Sequence, residues 1–251
     1  MTTEPLAGRV AVLTGGSKGL GVEFARSLVA AGAKVALLAR PSPELDAVAA
    51  ELGDAVAAIP CDVSDPAMVR AAMAAAHLKF GRIDILINNA ALLHLNWISQ
   101  ATDADIQREV GVNLLGPLYC MREAMPHLRQ SGHGHIINVS SLAIRIFAPY
   151  MSLYSATKAG LETLSSAMRA ELKAEGIRLT VLRLGAVKTG EGLARYWEPQ
   201  KKAAYLEAAR EAGVMKQTGK WMSPLSVAHT LLAILSTAED VSPEIVELAG
   251  R

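Results

Sequence analysis

Two rhythms of apolar residues alternate along the chain. Short, nearly continuous apolar runs occur at Arg9–Thr14 (RVAVLT), at Lys34–Arg40 (KVALLAR) and in AVAAIPCDVSD, the last ending at Asp62. Further runs follow at Ile85–Asn88, in HIINVSS up to Ser141 and in IRLTVLRLG. Runs of this kind, bounded by glycines and polar residues, predict buried strands. Between them, apolar positions recur three and four apart and predict helices: VEFARSLVAAG, about 44–52, Pro66 to about Phe80, about 103–129, and 152 to about 174. Ser152, Asp65 with Pro66, and Ser223 with Pro224 supply candidate helix starts, the last opening a helix to about Thr237. EIVELAGR closes the pattern as a short strand. Strands alternating with helices predict an α/β fold: a doubly wound parallel sheet of about seven strands with helices on both faces. No repeat, low-complexity tract or linker interrupts it, so one domain over 1–251 is expected.

Composition narrows the function classes. Of 251 residues, 51% are hydrophobic and 20% charged, enough apolar material for a large core. The net charge is +1 and no basic block stands out, which argues against nucleic acid as a partner. Cys61 and Cys120 cannot form a disulfide framework, and no Cys/His spacing suggests zinc. His127, His133 and His135 surround the turn QSGHGH, where loop composition accounts for them. MTTEPLAGRV lacks the pattern of a signal peptide, and no apolar run reaches the ~18 residues that span a bilayer. A soluble cytoplasmic protein with no membrane partner is expected.

Candidate chemistry gathers at the ends of the strands. In TGGSKGLG, Gly15, Gly19 and Gly21 let the backbone approach a pyrophosphate at a helix N-terminus, where free N–H groups favour anions. The spacing departs from the common dinucleotide fingerprint, because Phe24 follows where glycine or alanine is usual. After the second strand stand Ala39 and Arg40, a region where NAD-binding folds often carry an acid. Asp62 either accepts from an adenine amino group or caps the next helix, for which Asp65 is the better signal. Asn88 and Asn89 brace the glycine loop or the cofactor, or simply make a turn. Asn113 is polar within VGVNLLGPL and needs partners if buried.

Tyr154 and Lys158, four apart, share one face of a helix, and Ser141 ends the strand upstream. A phenol titrates near pH ~10, and a neighbouring ammonium favours the phenolate and lowers that value. An ordinary helix-surface pair is the plainer account. The long stretch from Gly185 to Ser223 lacks strand character, is expected to be helical over about 199–212, and holds or flanks Trp197, Tyr205, Met215 and Trp221. It reads as a substrate lid over about 186–223, the alternative being a satellite surface helix.

Together these motifs resemble the short-chain dehydrogenase/reductase family along nearly the whole chain. TGGSKGLG is similar to the family's glycine motif and NNA at Asn88–Ala90 to its fourth-strand motif. Asn113, Ser141, Tyr154 and Lys158 fall in the order and spacing of its catalytic tetrad. The resemblance implies an NADP(H)-dependent oxidoreductase interconverting a ketone or aldehyde carbonyl and a secondary alcohol by hydride transfer, with no metal. Tyr154 would be the general acid/base and Ser141 would hydrogen-bond the substrate oxygen. Lys158 would lower the tyrosine pKa and bind the nicotinamide ribose, and Asn113 would hold a water linking Lys158 to solvent.

It further implies cofactor contacts from Gly15, Ser17, Lys18, Gly19, Leu20, Gly21, Arg40, Asp62, Val63, Asn89, Ala90, Tyr154, Lys158, Gly185, Val187 and Thr189. Lys18 and Arg40, with no acid at Ala39, point to NADP(H) over NAD(H). Leu92, Leu93, Leu142, Ile144, Phe147 and Trp197 suggest an apolar pocket for a small-molecule substrate, open to a steroid, an aryl ketone, a terpenoid or a ketoacyl thioester. Ala91 and Leu184 depart from the family's usual glycine and proline. A homodimer or homotetramer is expected, pairing through helices around 103–129 and 153–174; the short tail after the closing strand argues against tail-mediated tetramer contacts. The alternative, a catalytically idle nucleotide-binding relative acting as a sensor or interaction module, is disfavoured by the complete tetrad.

Overall fold

A computed structural model describes residues 4–190, 197–217 and 219–251, the side chains at 215 and 216 excepted. The predicted strands form as β1 (Val10–Thr14), β2 (Lys34–Ala39), β3 (Val56–Pro60), β4 (Ile85–Asn88), β5 (His135–Ser141), β6 (Arg178–Leu184) and β7 (Ile245–Leu248). They make one sheet in the order β3-β2-β1-β4-β5-β6-β7, every pairing parallel. The chain winds outward from β1 to β3, then returns to the other side of β1 for β4 and winds the opposite way. The carboxyl ends of β1 and β4 therefore border the crevice where the winding reverses, the place where such sheets bind ligands.

The helices are α1 (Gly19–Ala30), α2 (Pro43–Leu52), α3 (Pro66–Phe80), α4 (Asp103–Val110), α5 (Gly116–Ser131) and α6 (Ala143–Ile146). Then come α7 (Ser152–Lys173), α8 (Pro199–Glu211), α9 (Val214–Gln217) and α10 (Pro224–Leu235). Both faces of the sheet are covered, which is why its strands read as continuous apolar runs. On β1, Ala11 and Leu13 pack with Phe24, Leu28, Leu45 and Leu231 on one side. Val12 joins Val69, Met73, Met121, Leu128 and Leu172 on the other.

The structure corrects several boundaries. Asp65 and Ser223 cap α3 and α10 through their side chains. Ser152 does not cap α7: the N-cap is Met151, with no side-chain hydrogen bond, and Tyr150 turns the chain into the helix at φ 65°. β3 stops at Pro60, paired with Ala39, short of Asp62. The helix expected over 103–129 is two helices joined by a π-helical segment, Gly111–Leu115, which carries Asn113. An extra residue in a helical turn twists the side chains after it relative to those before, and such bulges are frequent at functional sites.

The stretch after β6 is tied at its base, where Lys188 N–H donates to Met222 O at 2.8 Å and Met222 N–H to Ala186 O at 2.9 Å. Its helix α8 docks through Tyr205 and Ala209 against Ile146, Ala148, Met151 and Val214. Residues 191–196 and the Met215 side chain lie outside the described residues. Among the described residues no helix is long and apolar enough to cross a membrane.

Candidate active site

Ser141 is the last residue of β5, and the short α6 turns the chain back so that α7 begins beside it. This brings Tyr154 near Ser141, whose Oγ accepts from Ala143 N–H at 3.2 Å and favours the phenolate of Tyr154. Tyr154 is buried, packed with Leu93, Ala143, Met151 and Trp197. Lys158, one turn on, is 2% exposed; its Nζ donates to Val139 O at 2.8 Å and lies 5.8 Å from the Tyr154 ring centroid. The expectation that the lysine lowers the tyrosine pKa is not met. Burial pushes the phenol up to about 12, the nearby Ser141 hydroxyl opposes this by favouring the phenolate, and the charge of Glu109 adds to the rise. Burial likewise pushes Lys158 down to about 8, against the pull of Glu162. For each group, removal from water outweighs the contact that favours its charged form.

Asn113 is fully buried, and both its amide hydrogens are used: Nδ2 donates to Leu92 O at 2.8 Å and to Thr157 Oγ1 at 3.2 Å. Its Oδ1 accepts from Leu92 N–H at 2.8 Å. Thr157 passes the contact on, donating to Tyr154 O at 2.8 Å. The side-chain amide therefore clamps the loop after β4 to α7, and leaves no amide hydrogen for a water leading to Lys158.

At the other end of the crevice, Thr14 Oγ1 accepts from the N–H groups of Asn89 and Ala90, both at 3.0 Å. Asn89 Nδ2 donates to Thr14 O at 3.0 Å and Gly15 O at 3.3 Å, so Asn89 braces the glycine loop. Asn88 instead donates to Asn138 Oδ1 at 2.8 Å, inside the sheet. Gly15 and Gly19 have φ of 69° and 56°, a region that strains other residues. A Cβ on Gly21 would lie 2.1 Å from Gly15 O, and one on Gly16 2.6 Å from Leu37. The resulting N-terminus of α1 has no side-chain cap and no acidic residue in its first turn. By contrast, α2, α3, α4 and α10 are capped by Ser42, Asp65, Thr102 and Ser223. A helix end left with open amides suits a pyrophosphate.

Thr189 comes within 3.4 Å of where a Gly19 Cβ would sit, closing over this end. Ser17 and Leu20 belong to the same turn, and Val187, Gly185 and Thr189 run along the strand end beside it. Leu184 extends β6, paired with Ser141 and Leu248, and Ala91 has no positive φ, so neither departure bends the backbone into a glycine-only conformation. Lys18 is paired with Glu44 at 2.7 Å, and Arg40 is exposed just past β2. Asp62 Oδ1 accepts from Ser64 N–H at 3.0 Å and Ser64 Oγ at 2.6 Å, shaping the turn in which Val63 packs under Gly116.

The six pocket residues do not share one surface. Leu93 and Trp197 pack with Tyr154, and Trp197 Nε1 donates to Leu93 O at 3.0 Å. Leu92 and Leu142 are buried too, outside that cluster. Ile144 and Phe147 line a separate cavity of about 320 Å³ with Ala148, Ser152, Ser155, Ala156 and Ala159. They turn away because Phe147, at φ 50°, ends α6 and reverses the chain.

Several site neighbours carry no motif in the sequence. Glu109 is fully buried and accepts from His94 N–H at 2.9 Å. Glu162, one turn past Lys158, forms a double hydrogen bond with Arg183, which also reaches Glu247 at 2.6 Å. The recurrence of Lys158 and Glu162 at a spacing of four was the one local signal for the second group.

A family model described as short chain dehydrogenase matches residues 9–198. A 3-alpha-(or 20-beta)-hydroxysteroid dehydrogenase of Mycobacterium bovis is 36% identical over 184 residues, spanning 73% of this chain and 71% of that protein. A metagenomic short-chain oxidoreductase solved in complex with NADP is 26% identical with a TM-score of 0.79, covering 98% of each chain. A 3-ketoacyl-(acyl-carrier-protein) reductase of Brucella melitensis, complexed with NADH, is 29% identical with a TM-score of 0.82, covering 97% of each chain.

Proposed function

Because the chain belongs to the short-chain dehydrogenase/reductase family and is an oxidoreductase, we propose that it interconverts a carbonyl and a secondary alcohol with NADP(H). The observation that carries this reading is the buried Tyr154, near Ser141 and with the Lys158 amine one helical turn away. When bound, the nicotinamide supplies or takes up the hydride. The open amides at the start of α1 hold its pyrophosphate, and Lys158 Nζ, which spends one of its three hydrogens on Val139 O, holds the ribose beside the site. In reduction Tyr154 gives its phenolic proton to the substrate oxygen while the Ser141 hydroxyl shares the developing negative charge. With the phenol pushed up to about 12 and the amine down to about 8, the site at neutral pH is phenol plus ammonium, the charge state that delivers a proton. That favours reduction under these conditions.

The substrate we infer is an apolar ketone, on the strength of Leu93, Met151, Ala143 and Trp197 around Tyr154 and of the relative named for hydroxysteroids. Two copies pairing through α5 and α7 is the assembly we propose, since Leu118, Ala156 and Ala159 are exposed there. For the cofactor, Lys18 is engaged by Glu44, which leaves Arg40 as the guanidinium for a 2′-phosphate. Turnover of NADPH and NADH with a steroid, an aryl ketone, a terpenoid ketone and a ketoacyl thioester tests the whole reading. Arg40→Ala should weaken NADPH by about ten- to a hundredfold and barely affect NADH. A wild-type protein with higher kcat/KM for NADH would refute the NADP(H) assignment, and no turnover with any of the four would refute the proposed substrate class.

A further inference from the structure

Glu109 has one oxygen with a structural task and one without. Its Oε2 accepts from His94 N–H at 2.9 Å, which with Asn113 fixes the loop after β4. Its Oε1 is buried and has no hydrogen-bond partner. A glutamine would hold His94 equally well, so the clamp does not explain a carboxyl. An unpartnered buried oxygen is costly, and its charge reaches the Tyr154 phenol and opposes the phenolate.

We propose that Glu109 is a positioning residue whose carboxyl, neutral or charged, sets how readily Tyr154 gives up its proton. This rests on the reading of Tyr154 as the proton donor. Oε2 is committed to His94, so Oε1 is where the proton resides. Burial, opposed by the His94 hydrogen bond and reinforced by the charge of Asp105, pushes Glu109 up to about 7, so the carboxyl changes state near neutral pH.

The groups around it are few. From the loop after β4, His94 Nδ1 stands 3.7 Å from Glu109 Oε2 and 3.6 Å from Asp105 Oδ1. It thus lies between the buried carboxyl and a partly exposed one. From α7, Tyr154 feels its charge, while Lys158 is turned to Val139 O and is acted on by Glu162. On its own helix, Arg108 acts on Asp62 instead, and from α8, Lys201 acts on Asp105. No cation pairs with Glu109 among the described residues apart from His94 when protonated. A neutral Glu109 leaves Tyr154 the stronger acid and favours proton donation to a carbonyl; a charged one withholds the proton.

The test compares pH profiles of kcat/KM for ketone reduction in wild type and Glu109→Gln, which keeps the acceptor for His94 but never ionises. Wild-type reduction should fall about three- to tenfold as pH rises through the Glu109 transition, and the variant should hold its acid-side rate across it. A role in loop structure alone would shift both profiles together, so superimposable profiles overturn the proposal. A second readout does not use activity. A carboxyl whose folded pKa is raised stabilises the fold below its usual range and loses that stability as pH rises through the folded value. The wild-type melting temperature should therefore fall relative to Glu109→Gln between pH 5 and 8. If the variant does not fold, the wild type decides: a flat reduction profile over that range, or a ¹³C-labelled Glu109 carboxyl that titrates in the ordinary range, overturns the inference. Full turnover by Tyr154→Phe would overturn the underlying reading and the inference with it. Lost turnover in Tyr154→Phe with coincident Glu109→Gln profiles would sink the inference alone.

Discussion

At the glycine-loop end of the site the working groups are backbone amides, made reachable by missing side chains, whereas at the Tyr154 end they are side chains sealed from water. The first end contains no buried charge. Its geometry comes from Thr14 and Asn89 holding a loop into which Gly15, Gly16 and Gly21 fit with no room for a Cβ. The second end is held by a chain of side-chain contacts, Leu92 to Asn113 to Thr157 to the Tyr154 backbone, and its titratable groups are displaced by burial. One end should fail when atoms are added, the other when a single functional group is removed or a charge changed.

The largest expected effect is at the proton end. Tyr154→Phe removes one oxygen from a packed ring, so turnover should drop by about 10²–10⁴-fold while cofactor affinity changes little. Steady-state rates beside a fluorescence titration with NADPH would check both halves, and a variant within a few-fold of wild type would exclude Tyr154 as the donor.

Next in size is the stability cost of Lys158. Its pKa falls from the usual 10.5 to about 8 in the fold, so below that value the fold holds an ammonium that water would solvate better. The penalty applies in full below the folded pKa, shrinks as pH rises towards the unfolded one, and is absent above it. At pH 7 it amounts to about 3 kcal/mol, against about 1.5–3 kcal/mol for the lost charge-assisted bond to Val139 O. Lys158→Met should therefore be inactive yet no less stable than wild type at pH 7, and should lose ground to wild type by pH 10 in denaturant titrations. A constant difference across that range would show that the ammonium is not the source.

The smallest of the three tests the glycine end. Gly21→Ala places a Cβ on Gly15 O, and a backbone atom cannot step aside as a flexible side chain can. Overpacking of this kind costs about 1–3 kcal/mol. Cofactor affinity should fall at least about tenfold, with the pH profile of any residual turnover unchanged. A shifted pH profile would mean that the two ends are coupled, which would break the contrast between them.

How much of this was legible beforehand follows the same division. The glycine turn announced itself because a positive φ and a close approach demand glycine at particular positions, and that demand is local. Ser141, Tyr154 and Lys158 were legible for a similar reason, since strand end and helix face are set by nearest neighbours. Glu109, His94, Glu162 and Arg183 were not, because a carboxylate in a helix looks the same in sequence whether it faces water or the core. Ile144 and Phe147 were assigned to the pocket on their apolar character, which says that a residue is buried or bound but not against what.

The sequence by itself determined the alternation of strands and helices, the parallel winding that follows from it, and the order of the residues around the crevice. All three depend on contacts within a turn or a strand, where side-chain period and backbone preference act directly. Tertiary structure decided the direction of the Tyr154 shift, the π-helical segment that presents Asn113, and the isolation of Glu109. Each of these depends on how far a group is removed from water and what faces it there, and both are set by elements that meet only when the sheet and its two helical layers close.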